Sequence, residues 1–188
     1  MSELQLGATP SQTIGPFFKF GTEWMAEEDI VDEGFSGAFL LNGTVFDGGA
    51  DPVPDAMVEI WQADGNGKFP PDTAAEWSGF ARRLSDASGK YRIRTVKPGR
   101  LLASSGALEA PHISMVVFAR GLLKPVFTRI YFSDEVSANE SDPLLSAIRD
   151  EQARSTLIAA KIGGEYKFDI RLQDSQRGPQ TQFLVFGG

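Results

Sequence analysis

Two segments of strict alternation do most to limit what this chain can fold into. Tyr166-Lys167-Phe168-Asp169-Ile170-Arg171-Leu172 puts four apolar residues on one face and three charged residues on the other. Tyr91-Arg92-Ile93-Arg94-Thr95-Val96 repeats the pattern, with Tyr91, Ile93 and Thr95 together and the two arginines opposite. A period of two belongs to a half-buried strand, because successive side chains leave a strand on opposite faces. Residues 113–119 are apolar on both faces apart from Ser114, which suits a strand inside a sheet. Residues 39–46, 57–62, 128–132 and 183–186 supply four more strand candidates. Turn signals separate them at Asp47-Gly48-Gly49, Asp64-Gly65-Asn66-Gly67, Ser88-Gly89, Pro98-Gly99 and Gly163-Gly164.

Helical pattern is scarce. Asp142 before Pro143 reads as a cap and first-turn pair opening a short helix to about Ile148, and a second is expected over 152–159. The expected fold is therefore all-β: an antiparallel β-sandwich over 37–188, with short helices near 143–159. Residues 1–36 read as a separate N-terminal arm. Thr9-Pro10-Ser11-Gln12-Thr13-Ile14-Gly15-Pro16 cannot be helical, since each proline pushes its predecessor to extended geometry. Chain ends are often loose. Ile14, Phe17, Phe18, Phe20 and Trp24 are too apolar for that, so the arm is expected to pack on its own sandwich or on a partner.

With 188 residues, 41% of them hydrophobic, the chain has the size and composition of one globular domain. Its formal charge of −7 gives no general attraction for nucleic acid or anionic membrane. Cysteine is absent, so disulfides, thiolate metal sites and cysteine nucleophiles are excluded, in keeping with a cytoplasmic setting. The opening Met1-Ser2-Glu3-Leu4-Gln5-Leu6 lacks a basic stretch followed by an apolar one, so no secretion signal is expected there. No apolar run approaches the ~20 residues of a membrane helix.

Residue types that carry chemistry are few. The one histidine, His112, has no nucleophile elbow to serve and no second imidazole to share a metal with. Taken alone it reads as a satisfied structural residue. Asp64-Gly65-Asn66-Gly67-Lys68 opens like a calcium loop but has Lys68 at the fifth position and no closing glutamate, so it reads as a tight turn. Arg129 lies opposite Thr128, Ile130 and Phe132 and reads as an outward-facing charge.

Several stretches, taken in order, resemble the intradiol ring-cleaving dioxygenases. They are Thr9 to Phe17, Leu41-Asn42-Gly43-Thr44-Val45-Phe46-Asp47, and Glu59-Ile60-Trp61-Gln62-Ala63-Asp64-Gly65-Asn66-Gly67. Thr95-Val96-Lys97-Pro98-Gly99 and Ala110-Pro111-His112-Ile113-Ser114 follow. Phe118-Ala119-Arg120-Gly121, Thr128-Arg129-Ile130-Tyr131-Phe132 and Tyr166-Lys167-Phe168-Asp169-Ile170-Arg171 complete the set. Any one of these is weak, but the ordered set is specific. Iron-binding members hold Fe(III) with two tyrosinates and an H-x-H pair. The matching positions here are Phe69, Leu101, His112 and Ser114, so the resemblance implies that one ligand of four remains. It further implies a homologous beta subunit that carries the Fe(III), with alpha-beta pairs built into a larger oligomer. Thr13, Gly15 and Pro16 of the arm, together with Arg129, are then expected to line a shared site where protocatechuate meets O2 and yields 3-carboxy-cis,cis-muconate, a step of the beta-ketoadipate pathway. The reading from another class is a metal-free β-sandwich that binds or carries a ligand without catalysis.

Overall fold

The computed structural model describes residues 10–15, 17–22, 29–70, 78–103 and 105–185. Its strands are β1 (Ala38–Phe46), β2 (Met57–Trp61), β3 (Phe80–Leu84), β4 (Lys90–Val96), β5 (Leu101–Leu102), β6 (Leu108–Glu109), β7 (His112–Phe118), β8 (Val126–Phe132), β9 (Ile158–Ile162), β10 (Glu165–Lys167) and β11 (Ile170–Arg171). Four short helices accompany them: α1 (Phe17–Thr22), α2 (Val136–Glu140), α3 (Pro143–Ala147) and α4 (Glu151–Ser155).

One layer is built on β1, which pairs with β4 on one side and with β10 and β11 on the other; the second runs β3-β2-β7-β8. β9 joins the layers, antiparallel to β10 and parallel to β8. Alternation drives the packing. Leu41, Val45, Tyr91 and Ile93 from the first layer meet Val58, Ile60, Met115, Val117 and Ile130 from the second in one buried core. Each large side chain of this kind stabilises the fold by about 1.5–3 kcal/mol when fully buried. A smaller cluster of Ala110, Tyr131, Leu145 and Leu157 sits under the helices.

The expected β-sandwich is present, with corrections to its detail. It is not wholly antiparallel, because β10 and β11 run parallel to β1 and β9 runs parallel to β8. The single strand expected over 166–172 is two. The ladder breaks at Phe168 and Asp169, where the Asp169 carboxylate accepts from the Thr44 amide at 3.0 Å. Beside the break, the Phe168 carbonyl accepts from the Tyr91 hydroxyl at 2.6 Å and leaves no room for a Cβ on Gly43. The helix expected over 152–159 stops at Ser155, and 158–162 is strand: Ile158 and Ala159 align with Tyr131 and Phe132, and pairing beats a weak helical pattern. The strand expected over 183–186 amounts to a bridge between Leu184 and Phe127, and Phe186 lies outside the described residues. The arm is not extended throughout, since α1 follows its proline segment. Among the described residues no helix is long and apolar enough to cross a membrane.

Candidate active-site wall

Two loops at one end of the sandwich are locked by backbone contacts that explain their glycines. The buried Gln62 side chain donates to the Val96 carbonyl at 2.8 Å and accepts from the Thr95 hydroxyl at 2.7 Å, tying the end of β2 to the end of β4. The Asp64 side chain accepts from the amides of Asn66 and Lys68, each at 2.9 Å, so the segment is the tight turn its sequence suggests. Gly67 has a φ of 75°, and a Cβ there would overlap the Arg100 carbonyl, which only glycine avoids. The Gly99 amide donates to the Asp64 carbonyl at 2.8 Å. The two loops thus place Phe69 and Leu101 beside the same strand ends.

Register does the rest. Ser114 lies between Trp61 on β2 and Arg129 on β8, and His112 lies across from Tyr131. Phe69 stacks on Trp61, with ring centroids 6.1 Å apart and planes within 10°. Trp61 and Phe80 pair across β2 and β3, with centroids 6.3 Å apart. Leu101 pairs with Glu109 in the β5-β6 hairpin, and the Glu109 carboxylate reaches back to β7 and β8. Phe69, Leu101, His112, Ser114 and Arg129 therefore border one patch on the outer face of the second layer.

Arg129 faces away from the core, as its strand pattern suggests, but it is not solvated. Its side chain is only 17% exposed, because the β5-β6 hairpin folds over it. Arg129 Nη1 lies 3.2 Å from Glu109 Oε2, an ion pair without a well-aligned hydrogen bond. Nε and Nη1 have no hydrogen-bond partner among the described residues. Burial opposes the guanidinium charge, but contact with Tyr131 and Glu109 more than offsets it and raises its pKa.

His112 Nδ1 is 2.9 Å from the Ala110 carbonyl, which can only accept, so the proton sits on Nδ1. Burial, and then the charge of Arg129, lower its pKa and keep the ring neutral. Its Nε2 faces Glu109 Oε2 at 3.6 Å, beyond hydrogen-bond reach. Burial also raises the pKa of Tyr131, whose hydroxyl donates to Asp142 at 3.1 Å. Asp142 is fully buried and accepts in addition from the amides of Ala110, Leu144 and Leu145. One carboxylate thereby caps α3 and fixes both Tyr131 and the turn before His112.

The arm lies elsewhere. Thr13 Oγ1 accepts from the Gly121 amide at 3.0 Å, and the Ile14 amide donates to the Leu122 carbonyl at 3.1 Å. That is past the far end of β7, whose Phe118 is about 13 Å from Ser114 at the usual rise per strand residue. Within one chain, Thr13 and Gly15 are therefore not brought to Arg129. Pro16 lies outside the described residues.

The profile of the family described as Dioxygenase matches residues 15–174. The chain is 40% identical over 189 residues to the protocatechuate 3,4-dioxygenase alpha chain of Burkholderia cepacia, covering 89% of this chain and 93% of that one. The chain belongs to the intradiol dioxygenase family. It is also 29% identical over 167 residues to the protocatechuate 3,4-dioxygenase beta chain of the same organism, covering 76% of this chain and 67% of that one. Among solved structures, catechol 1,2-dioxygenase from Acinetobacter sp. ADP1 superposes with a TM-score of 0.59 at 21% identity, covering 86% of this chain and 60% of that one, a likeness of fold.

Intradiol dioxygenases depend on Fe(III). The donor set in this chain does not fit that ion. Phe69 and Leu101 have no donor atom, the Ser114 hydroxyl is a poor ligand, and His112 offers one imidazole nitrogen. Among the described residues no three of His, Asp and Glu group as a metal site. Two residues that shape the patch carry little signal in the sequence. Glu109 is marked only by its place three residues before His112. Asp142 reads as a helix cap, with nothing to say that it also reaches Ala110 and Tyr131.

Proposed function

We propose that this chain is the iron-free wall of a two-subunit intradiol dioxygenase acting on protocatechuate. A homologous beta chain holds the Fe(III), both atoms of O2 enter between the two hydroxylated carbons, and the product is 3-carboxy-cis,cis-muconate. The contribution of this chain is shape, exclusion of water and positive charge. The observation that carries the reading is Arg129: a mostly covered guanidinium whose Nε and Nη1 are buried with no hydrogen-bond partner among the described residues, set among aromatic side chains on a chain of net charge −7. A planar carboxylate on an aromatic ring is the ligand such a group suits best.

The outer face around Arg129 supports a partner there. Trp61, Phe69, Phe80 and Phe127 are each more than a third exposed on it. Aromatic residues with an arginine at their centre are the composition of a protein interface rather than of a solvated sheet. The arm belongs to the same proposal. Thr13 and Ile14 each make one hydrogen bond to the β7-β8 turn. Release of those bonds on pairing lets Thr13, Gly15 and Pro16 line the pocket in the partner.

Co-expression of this chain with a beta chain of the same family, in iron-supplemented medium, tests the reading. The two chains are expected to elute together and to take up O2 with protocatechuate, with neither chain active by itself. A beta chain that elutes alone and works equally well would leave this chain as a ligand-binding sandwich without a part in catalysis.

A further inference from the structure

Glu109 has no place in the reading above, yet it sits closer to Arg129 than any other carboxylate the structure places there. The residue is anchored on both sides. Its backbone carbonyl and that of Leu108 accept from the Arg100 guanidinium, at 3.3 and 3.1 Å, and the next amide, Ala110, donates to buried Asp142 at 2.8 Å. The Glu109 side chain is 15% exposed, and its Oε2 lies 3.2 Å from Arg129 Nη1 and 3.6 Å from His112 Nε2. His112 is neutral, with its bare nitrogen toward Glu109, so it offers that carboxylate neither charge nor proton. Arg129 is thus the cation that Glu109 faces, and it faces it at a poor hydrogen-bonding angle, with Nε and Nη1 buried and without a hydrogen-bond partner among the described residues.

We propose that Glu109 is a specificity-determining residue: a built-in carboxylate that shares Arg129 with the carboxylate of the substrate and so limits how strongly the site favours carboxylated over uncarboxylated rings. The inference rests on the reading of Arg129 as the group that meets that carboxylate. A ligand carboxylate approaching Arg129 finds a guanidinium already half-neutralised, with a second negative charge beside it. Removing the charge of Glu109 while keeping its shape exposes the full cation. The gain goes only to ligands that are themselves anionic at that position.

The test is steady-state kinetics of Glu109→Gln in the assembled alpha-beta complex, with protocatechuate and catechol as substrates. The KM ratio of protocatechuate to catechol is expected to fall roughly two- to fivefold, the size of one partly screened ion pair, with the change in KM and not in kcat. Glu109→Asp keeps the charge but withdraws it by one methylene, and should shift the ratio the same way by less. Arg129→Met is run in parallel. If it raises the ratio while Glu109→Gln leaves it unchanged or raises it, the role of Glu109 is wrong and that of Arg129 stands. If Arg129→Met moves both substrates alike, the underlying reading of Arg129 fails. Loss of assembly in both Glu109 variants would make the residue structural and would also overturn the inference.

Discussion

Arg129→Met is expected to raise KM for protocatechuate by roughly 10- to 150-fold, with plain catechol affected far less. A hydrogen bond to a charged group is worth about 1.5–3 kcal/mol, and that range converts directly to the fold-change. Methionine fills much of the arginine volume under the β5-β6 hairpin, so the packing around Tyr131 and Ser114 is kept. It also leaves Glu109 without its cation, and an unpaired carboxylate repels the substrate further, which favours the upper part of the range. Assembly and iron content of the complex should not change. Kinetics with the two substrates side by side check this, because a packing defect costs both equally whereas loss of a carboxylate contact costs only one.

Asp142→Ala is expected to be the most destabilising single change around the site, at about 3–7 kcal/mol. Loss of a helix cap accounts for about 1 kcal/mol of this. Each buried donor left without an acceptor adds about 1–3 kcal/mol, and Asp142 serves the amide of Ala110 and the hydroxyl of Tyr131 in the interior. For a chain of 188 residues, at about 2–4 °C per kcal/mol, that corresponds to a fall in Tm of roughly 6–28 °C, read by thermal unfolding. The defect should reach the site as well. The Ala110 turn places both Glu109 and His112, and Tyr131 is the register partner of His112. Asp142→Asn should be milder, since its amide oxygen can still cap α3 while its amino group faces one donor it cannot satisfy.

The layers of the fold were legible because alternation is a local signal. β4 buries Tyr91, Ile93 and Thr95 and turns Arg92 outward, as its six letters require, and β7 runs between β2 and β8 as its doubly apolar pattern requires. What stayed hidden depends on neighbours far along the chain. Residues 158–162 form a strand because Tyr131 and Phe132 offer an edge, and residues 166–172 break because Gly43 lets the Phe168 carbonyl come close. At the site, Phe69, Leu101, His112 and Ser114 were singled out only by the resemblance to the iron-binding members of the family. The ion pair of Arg129 with Glu109 was not legible. It is made by a hairpin of two-residue strands folding over β8, and the pattern of β8 by itself says only that Arg129 points away from the core.

The central claim is that this chain shapes an iron-dependent site without holding the iron. Its most direct test is metal analysis of the separated subunits. The alpha-beta complex, fully loaded and active, is dissociated under mild conditions, and the iron is measured in each chain by atomic absorption. The account predicts iron in the beta fraction and close to none in this chain, because Phe69 and Leu101 carry no donor atom and Ser114 offers only a poor one. Iron retained by this chain at close to one per molecule, and lost on His112→Ala, would contradict it.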